Sequence, residues 1–448
     1  MRILHYSLGF PPYRRGGLTK YCMDTMKEES SKGHDVAMLW PGDMGLLREK
    51  APQIVERKSH HIGSLAIRSF EFQGCLPVPL LEGVSDPNEY AVELDIKPFE
   101  SFIATYKPDV VHFHTIMGFP KNYLLYLKAS GIKTLFTSHD YYGICPRTTL
   151  IKGIENCTDL DCNCCAQCNE NATSVKKIKI LQSGIYRVLK DTAIIRALRK
   201  QHWKKSELSV EDCSRNSVEK KDTSNKYEML RRYYIEMLEL FDVIHFNSKN
   251  TQQIYNRYSD RLNGTVRNIS HAHIADSRKK RTRHSICHLT YLGPETYHKG
   301  YYLLLEVCDK LWNDGYRFKL NIYFKSSVEK PYIITHMPYR YEDLAEIMDN
   351  TDYLVVPSLW NETYGFTVPE AMSYAIPAIV STTVGAKDEI LSGINGIVVA
   401  PTLYDLYDAC VSVIDDSSIF EKYNINICER YYPRTMSEHC QALLELYK

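Results

Sequence analysis

The sequence has almost no net charge. Its 448 residues contain 55 lysines and arginines against 54 aspartates and glutamates, which gives a formal net charge of +1 at pH 7. Proteins that bind nucleic acid or anionic membranes through their overall field carry a marked excess of positive charge. The balance excludes that class, so any polyanion must be bound by a local patch.

Long hydrophobic runs are also missing. No window approaches 18 uncharged apolar residues, the length that a membrane-spanning helix needs. The first residues, MRILHYSLGF, contain one basic residue and too short an apolar run for a secretory signal. We therefore expect a cytoplasmic protein that spans no membrane, in which the 14 cysteines are reduced thiols.

The chain shows no internal repeat, but it does show a regular alternation of strands and helices. Short β-branched runs such as DVAMLW, DVVHFH and KTLFTSH are separated by helical patterns, and a second such series begins near HSICHLTYLG. This alternation is typical of parallel sheets with crossover helices. The predicted fold class is α/β, with two doubly wound Rossmann-like domains that face each other across a cleft.

The predicted domain boundaries follow from where this alternation stops. The first domain covers residues 1–265 and contains an insertion at about 151–225, where cysteine-rich, basic and polar stretches interrupt the pattern. The second domain covers residues 285–430. The last segment, 431–448, is an amphipathic helix that could pack on either domain, including back on the first.

The stretch YLVVPSLWNETYGFTVPEAM carries the strongest chemical signal. It runs from a buried strand into a helix whose first turn contains Pro369, so backbone N–H groups between Gly365 and Thr367 are expected to be free. Such a helix start binds phosphate or hydroxyl oxygens. Glu362 and Glu370 flank it, and carboxylates accept hydrogen bonds from pairs of hydroxyls. A nucleotide sugar offers both kinds of group.

Five stretches of the sequence together resemble one known family. The donor-site signature of the retaining GT-B glycosyltransferases of family 4, the glycosyltransferase group 1 family, is similar to SLWNETYGFTVPEAMSYAIPAIVSTTVGAKDEILSGINGIVVAP. GGLTKY resembles the family's first glycine loop, and PDVVHFH and FTSHDYYGICPR resemble its acceptor-domain motifs. YLGPETYHKGYYLLLEV resembles the loop that holds the donor pyrophosphate. The resemblance implies that residues 1–265 bind the acceptor and residues 285–430 the donor.

The resemblance also implies a role for each matched residue. Glu370 binds the nucleotide ribose, Glu362 binds hydroxyls of the donor sugar, and Lys299 pairs with the diphosphate, whose negative charge grows as it leaves. Further predicted donor-binding residues lie in the first glycine loop and at the helix start: Gly16, Gly17, Gly365, Phe366 and Thr367.

Three residues form the predicted catalytic set. His139 ends the predicted strand KTLFTSH and matches the family's active-site histidine, and it is grouped with Lys299 and Glu362. Of the two histidines in VVHFHT, we expect only His114 to face the cleft, because it lies nearer the loop than His112.

One position departs from the family pattern. Pro294 stands where the family places an arginine, so one of two expected cations is missing; Arg14 and Arg15 are the candidate replacements. The family mechanism retains the anomeric configuration, with the leaving phosphate taking the proton of the acceptor. It implies no catalytic metal and no cofactor besides the nucleotide sugar, and the donor loop contains no Asp-x-Asp to hold a metal.

The insertion contains two features that lie outside the resemblance. Six cysteines fall within 24 positions, and the spacing at 157–168 fits either a structural zinc site or free or redox-active thiols. Residues 176–205 hold ten lysines and arginines against the single acid Asp191, with apolar residues near helical spacing and Trp203 at the end. This basic segment fits either peripheral binding to the anionic inner face of the plasma membrane or a helix that caps the first domain.

The leading interpretation is a hexosyltransferase-type glycosyltransferase. It moves a sugar from a nucleotide sugar to a glycan or lipid-linked acceptor with retention, in the assembly of a cell-surface polysaccharide such as capsule, O-antigen or exopolysaccharide. Two alternatives stay open: a nucleotide-sugar epimerase of the same architecture, and a non-catalytic nucleotide-sugar-binding subunit. The sequence identifies neither the sugar, the base, the acceptor nor the linkage.

Overall fold

A computed structural model describes residues 1–46, 50–190, 192 and 221–448 of the chain. The chain forms two compact units. Unit 1 contains Met1–Phe246, Gln252–Val266 and Cys440–Lys448, and unit 2 contains Asn247–Thr251 and Arg267–His439. Each unit is built on one Rossmann-like sheet, which confirms the predicted α/β fold class with two such domains.

Unit 1 contains an eight-stranded sheet in the order β10-β9-β6-β5-β1-β2-β4-β3. All neighbours are parallel except β3 and β4, which form an antiparallel edge. A small hairpin, β7 with β8, lies outside the sheet. The strands are β1 (Arg2–Tyr6), β2 (Asp35–Pro41), β3 (Gln53–Ile62), β4 (Leu65–Gln73), β5 (Val110–Phe113), β6 (Lys133–Ser138), β7 (Ile151–Lys152), β8 (Glu155–Asn156), β9 (Val243–Phe246) and β10 (Gly264–Val266).

Helices connect and cover these parallel strands, as crossover connections require. The first helix, Gly17–Ser31, buries an apolar stripe that includes Tyr21, Cys22 and Met26 against the sheet. Two helices bring the chain from one unit to the other, Lys249–Tyr255 and Met436–Leu446. The other helices of unit 1 are Pro87–Tyr90, Lys97–Tyr106, Lys121–Ala129, Cys165–Cys168, Val175–Gln182, Gly184–Leu189 and Lys221–Glu239.

The first half of the basic segment packs against unit 1. Ser174 and Ser183 cap the helices Val175–Gln182 and Gly184–Leu189 through their hydroxyl oxygens. Gln182 donates to the carbonyl of Gly42 at 3.1 Å, and Arg187 pairs with the buried Glu71 at 2.8 Å. The part of the prediction that falls on residue 191 and on 193–205, Trp203 included, lies outside the described residues.

Unit 2 contains a six-stranded sheet, entirely parallel, in the order β13-β12-β11-β14-β15-β16. Its strands are β11 (Cys287–Tyr291), β12 (Phe318–Ile322), β13 (Ile333–Thr335), β14 (Tyr353–Val356), β15 (Ala378–Ser381) and β16 (Gly396–Val399). Its helices are Tyr301–Asn313, Tyr341–Asp343, Leu344–Asp349, Thr367–Met372, Gly385–Glu389, Leu403–Asp415 and Ser417–Arg430.

The core of unit 2 explains why its central strands read as continuous apolar runs. Both faces of a parallel sheet are covered by helices, so every residue of β14 and β15 is buried. Loops that follow the carboxyl ends of β11 and β14 carry the predicted donor-site residues. Within the described part of the chain, none of the helices has the length and apolarity required to cross a bilayer.

Candidate active site

The predicted donor segment folds as a strand, a loop and a short helix. β14 ends at Val356, and the helix begins at Thr367 with Phe366 as its N-cap residue. Gly365 has a φ of 104°, and a side-chain Cβ at this position would lie 3.0 Å from Val384. A residue with a side chain would be strained there, so glycine keeps the backbone of the helix start open to a ligand.

Lys299 and Glu362 come together in unit 2. The Lys299 ammonium lies 3.0 Å from the Glu362 carboxylate and 5.0 Å from the centre of the Trp360 ring. The Ser358 hydroxyl donates to the same oxygen of Glu362. The side chain of Lys299 is 26% exposed, so a ligand can reach its charge. The ion pair itself is a feature that the sequence analysis did not predict.

Glu370 lies in the short helix and is 2% exposed. Its Oε1 accepts a hydrogen bond from Nε2 of the buried His271 at 2.7 Å. The Nδ1 atom of His271 accepts from the backbone N–H of His273, which leaves the proton on Nε2. Among the described residues, nothing donates to the buried Glu370 Oε2. A buried carboxylate oxygen without a donor is costly, and a ligand hydroxyl would relieve that cost.

Sequence reasoning missed His271 and Ser358. His271 lies in the segment that the pattern marked only as an inter-domain connection, about 100 residues before its partner Glu370. The serine-glutamate spacing of four residues in SLWNE was the available signal for Ser358, but such spacing is common in loops. Neither pairing follows from periodicity, because both depend on how loops pack.

The first glycine loop forms the start of the helix Gly17–Ser31. Gly16 is the N-cap residue, with a φ of 113°. Arg15 is exposed, whereas burial lowers the pKa of the Arg14 guanidinium beside Tyr13. Among the residues that the structure describes, no carboxylate pairs with Arg14. Arg14 therefore has an unneutralised charge.

His139 follows β6, as predicted, and contacts two other aromatic side chains of unit 1. Its Nε2 lies 3.3 Å from Nδ1 of His114, and its ring makes an edge contact with Tyr21 at 4.8 Å. Burial lowers the pKa of His139 to about 3, with a further contribution from His245. The imidazole is therefore neutral at physiological pH.

The expectation that only His114 faces the functional side is wrong. His112 and His114 have ring centroids 4.2 Å apart and belong to the same buried cluster with His5. Residues two apart on a strand point to the same face, so both imidazoles lie on one side of β5.

The cysteines of the insertion are free thiols in the described part of the chain. Burial raises the pKa of Cys145 to about 11, and Arg231 donates to the sulfur of Cys165 at 3.4 Å. Among the described residues, two side-chain groups have a geometry that could hold a metal ion, and neither contains a cysteine of 157–168. The geometry thus does not assemble the zinc site that the spacing allows.

Two family models match the sequence. Residues 15–155 match Glycosyltransferase Family 4, and residues 286–416 match Glycosyl transferases group 1. Together they cover more than half of the 448 residues, including every predicted catalytic and donor-binding residue apart from the candidate cation Arg14, and the insertion beyond residue 155 lies outside both. No curated protein matches the sequence.

Solved structures with the same fold share little sequence with this chain. Sucrose-phosphate synthase from Thermosynechococcus elongatus matches with a TM-score of 0.57 at 14% identity, covering 100% of this chain and 98% of that one. The UDP-forming α,α-trehalose-phosphate synthase from Burkholderia xenovorans, in complex with glucose-6-phosphate, matches with 0.57 at 11% identity and full coverage of both chains. HepE from Anabaena in complex with UDP matches with 0.56 at 10% identity, covering 99% of each chain.

At these identities the structural matches establish the fold, and the two family models establish the family. The expected glycosyltransferase family is thereby confirmed, whereas retention of the anomeric configuration and the individual roles of the site residues stay predictions. The chain belongs to the glycosyltransferases of the GT-B type, with a family 4 domain in its first half and a group 1 domain in its second.

Proposed function

We propose that this glycosyltransferase transfers a hexose from a nucleotide sugar to a glycan or lipid-linked saccharide, with retention of anomeric configuration. Unit 2 binds the donor and unit 1 binds the acceptor. HepE has been crystallised with UDP and with UDP-glucose, which supports a nucleoside diphosphate sugar as the class of donor. The acceptor belongs to a cell-surface polysaccharide under assembly.

The observation that carries the proposal is the unsatisfied oxygen of Glu370. His271 holds one carboxylate oxygen and thereby fixes the side chain, while Oε2 is buried without a donor among the described residues. A ribose hydroxyl would supply that donor. Hydrogen bonds to a charged group contribute about 1.5–3 kcal/mol, so this contact alone accounts for roughly a 10- to 100-fold gain in nucleotide affinity.

Lys299 and Glu362, which form an ion pair, bind two different parts of the donor, the diphosphate and the transferred sugar. The Lys299 ammonium lies beside the aromatic face of Trp360 and within reach of solvent, where it can bind the diphosphate. Glu362, held by Ser358, keeps an oxygen for hydroxyls of the transferred sugar. Negative charge on the diphosphate grows as the glycosidic bond breaks, so Lys299 stabilises the transition state more than the bound donor.

The reaction proceeds without a protein nucleophile or a catalytic metal. The hydroxyl of the acceptor attacks the same face from which the diphosphate departs, and a phosphate oxygen takes its proton. Neutral His139 accepts a hydrogen bond from a sugar hydroxyl and orients it. The unneutralised charge of Arg14 makes this residue the candidate replacement for the arginine that the family pattern places at Pro294.

Nucleotide binding to the wild-type protein and Glu370→Gln tests the proposal. Titration calorimetry with UDP, ADP and GDP identifies the base, and we expect the variant to bind the preferred nucleotide roughly 10- to 100-fold more weakly. Glu421→Gln, an exposed glutamate of the helix Ser417–Arg430, is the matched control and should bind like the wild type. Equal affinity of Glu370→Gln and the wild type would contradict the proposed donor site.

Product analysis separates the proposed reaction from the two alternatives. NMR of the product of each nucleotide sugar should show an α-linked product from an α-linked donor only when an acceptor is present, and chelator should leave the rate unchanged. Conversion of the donor sugar without acceptor would identify an epimerase. Tight binding without turnover over a panel of glycan acceptors would identify a binding subunit.

The described half of the basic segment supports contact with an anionic membrane. Ile185 is 64% exposed and Val188 is 80% exposed, and Lys176 and Lys177 are exposed on the neighbouring helix. Apolar side chains beside lysines bind anionic lipid surfaces. Vesicles containing phosphatidylglycerol should sediment the protein, pure phosphatidylcholine vesicles should not, and Val188→Asp should release it from the former.

A further inference from the structure

His271, the residue that holds Glu370, is itself completely buried. It lies between β10 and β11, 99 residues before Glu370, and is 0% exposed. Phe366, the N-cap residue of the helix that carries Glu370, meets the His271 ring edge-on at 5.0 Å between ring centres, and the Tyr341 ring lies at 5.2 Å. A ligand therefore does not reach His271 directly, and any effect of this residue on a ligand passes through a neighbour.

Both ring nitrogens of His271 have partners. Nδ1 accepts the backbone N–H of His273 at 3.2 Å. A backbone N–H can only donate, so Nδ1 carries no proton and the neutral imidazole has its proton on Nε2. Nε2 donates that proton to Oε1 of Glu370 at 2.7 Å. The tautomer of His271 thus follows from a backbone donor.

The backbone around His271 is fixed as well. The carbonyl of His271 accepts from the N–H of Ile274 at 3.0 Å, which closes a tight turn. The hydroxyl of the buried Ser270 donates to the carbonyl of Arg434. Because ring and backbone are both held, the Nε2–H of His271 points at Glu370 in one direction.

This hydrogen bond makes the two oxygens of Glu370 unequal. Oε1 is bonded to His271, whereas Oε2 is buried and has no donor among the described residues. The last torsion of a glutamate side chain is broad, so a carboxylate without a partner samples many orientations. The bond from His271 removes that freedom and fixes the direction in which Oε2 points.

Unit 2 contains a second histidine–carboxylate pair, in which both oxygens have donors. Oδ1 of Asp352 accepts from the backbone N–H of His284 at 3.0 Å and lies 2.9 Å from Nδ1 of the same residue, and Oδ2 accepts from the backbone N–H of His288 at 2.7 Å. Asp352 directly precedes β14, so it lies at the opposite edge of the sheet from the loop that follows β14. A fully bonded carboxylate away from the ligand edge has the arrangement of a pair that only stabilises the fold.

We propose that His271 is a positioning residue for the donor nucleotide: by holding Oε1 of Glu370 it directs Oε2 toward the ribose hydroxyls, and it thereby sets how strongly the enzyme prefers a ribonucleotide to a nucleotide that lacks them. The identification of the ligand group as ribose rests on the proposed function. The positioning role is a separate claim, because it compares variants of His271 that all retain Glu370.

A purely structural pair is the competing explanation. It would tie residues 270–274 to the helix Thr367–Met372, and breaking it would lower stability and weaken the binding of every nucleotide to the same extent. Loss of a positioning residue weakens only the binding of nucleotides that possess the ribose hydroxyls. The ratio of two affinities therefore distinguishes the two roles.

Titration calorimetry with a ribonucleoside diphosphate and its 2′,3′-dideoxy analogue measures this ratio. The probe is whichever of UDP, ADP and GDP binds most tightly, and the wild type should bind it roughly 10- to 100-fold more tightly than the analogue. His271→Asn and His271→Gln form a matched pair, since both side chains end in an amide but only glutamine places its N–H₂ near the position of Nε2.

The two variants should behave differently. Loss of the partner that orients a ligand-binding side chain costs about 10- to 100-fold at metal sites, and we expect His271→Asn to lower the affinity ratio about tenfold. The affinity for the dideoxy analogue should stay unchanged. His271→Gln should keep the ratio within about threefold of the wild type, because it retains a donor for Glu370. If His271→Asn does not fold, His271→Leu, which is close to histidine in volume and has no donor, replaces it.

Two controls separate positioning from stability. His284→Ala breaks the other histidine–carboxylate pair, so it should lower the thermal midpoint and leave the affinity ratio unchanged. In a Glu370→Gln background, the further change His271→Asn should not alter the ratio, because His271 acts only through the carboxylate.

The remaining outcomes decide between the claims. An unchanged ratio in a folded His271→Asn protein overturns the positioning role, and so does an equal loss of affinity for both nucleotides. Either result leaves the proposed donor site intact if Glu370→Gln abolishes the preference for the ribonucleotide. A wild-type protein without that preference overturns the proposed role of Glu370 and, with it, the positioning role of His271.

Discussion

Two deeply buried carboxylates, one in each unit, differ in whether their oxygens have hydrogen-bond donors. In unit 1, both oxygens of Glu29 are saturated by side chains of the same unit, His5 and Tyr447. In unit 2, Glu370 is nearly as deeply buried, yet one of its oxygens has no donor among the described residues. A satisfied carboxylate fixes its neighbours, whereas an unsatisfied one is an incomplete site that a ligand completes.

This difference predicts where substitutions will act. The satisfied network of unit 1 consists of the hydrogen-bonded side chains His5, Glu29, His112, Thr137, His245 and Tyr447. Removal of a member of the satisfied network should lower stability, because each deletion leaves buried partners unpaired. Removal of a polar side chain at the incomplete site should lower activity while the fold stays stable, whereas a change to its backbone should affect both. The four predictions that follow test this division, beginning with the strongest.

Lys299→Ala should show the largest loss of activity. Deletion of one preorganised group that stabilises transition-state charge typically lowers kcat by about 10²–10³-fold. The thermal midpoint should change little, since Lys299 is partly exposed and its removal leaves Glu362 with Ser358. Steady-state kinetics and thermal unfolding measure the two quantities, and Lys422→Ala on an exposed helix surface is the control. A fall in stability with unchanged kcat would reverse the assignment.

Thr137→Val should show the opposite behaviour, because Thr137 lies in the satisfied network. Its hydroxyl bridges His112 and His245 at 2.7 and 3.0 Å, and valine leaves both imidazoles without that partner. We expect a loss of about 1–3 kcal/mol in the free energy of unfolding, measured with denaturant. Thr105→Val, on an exposed helix surface, should stay within about 0.5 kcal/mol of the wild type.

Gly365→Ala tests the backbone of the incomplete site. With a φ of 104° and Val384 3.0 Å from the new methyl group, alanine should cost about 1–2 kcal/mol of stability. The shifted helix start should also weaken nucleotide binding, measured by calorimetry. Gly63→Ala, at a left-handed position with open space around it, carries the backbone strain alone and should leave nucleotide affinity unchanged.

The pH dependence of stability should have opposite signs at two adjacent residues of unit 1. Burial lowers the pKa of His139 to about 3 from its ordinary 6.5. The contribution of the neutral imidazole to the free energy of unfolding is therefore complete above pH 6.5 and is lost as the pH falls toward 3. Burial raises the pKa of Asp140 to about 6 from 3.8. The contribution of its protonated carboxyl group to the free energy of unfolding is therefore complete below pH 3.8 and is lost as the pH rises through 6.

Thermal and denaturant unfolding between pH 4 and pH 7 measure these slopes. Relative to His139→Gln, the wild type should lose at most about 1.4 kcal/mol per pH unit on acidification below 6.5. Relative to Asp140→Asn, it should instead lose stability as the pH rises from 4 to 6. Parallel curves for the wild type and both variants would contradict the burial of these two groups.

Much of the fold was predictable because it depends on local patterns. The strands of both sheets read as short apolar runs separated by helical periods, and the insertion was visible where that pattern stopped. The donor segment was predictable for a similar reason. Its key residues, Glu362, Gly365 and Glu370, lie within nine positions, so they can be recognised together as one sequence motif.

The pairings of these residues were not predictable. Glu370 pairs with His271, and Lys299 pairs with Glu362 across 63 residues. Glu29 and Tyr447 lie 418 residues apart, at opposite ends of the chain. The opposite-face expectation for His112 and His114 failed on strand geometry that the sequence already contained, since residues two apart share a face.

Periodicity and local motifs lie in consecutive residues, so the fold class, the glycosyltransferase family and the short segment with the donor-site carboxylates could be recognised from the order of residues. Which carboxylate has all its hydrogen-bond donors and which lacks one became visible only in the folded chain. Hydrogen-bond satisfaction is a property of atoms a few ångströms apart in space, and those atoms come from segments that packing, and not chain order, brings together.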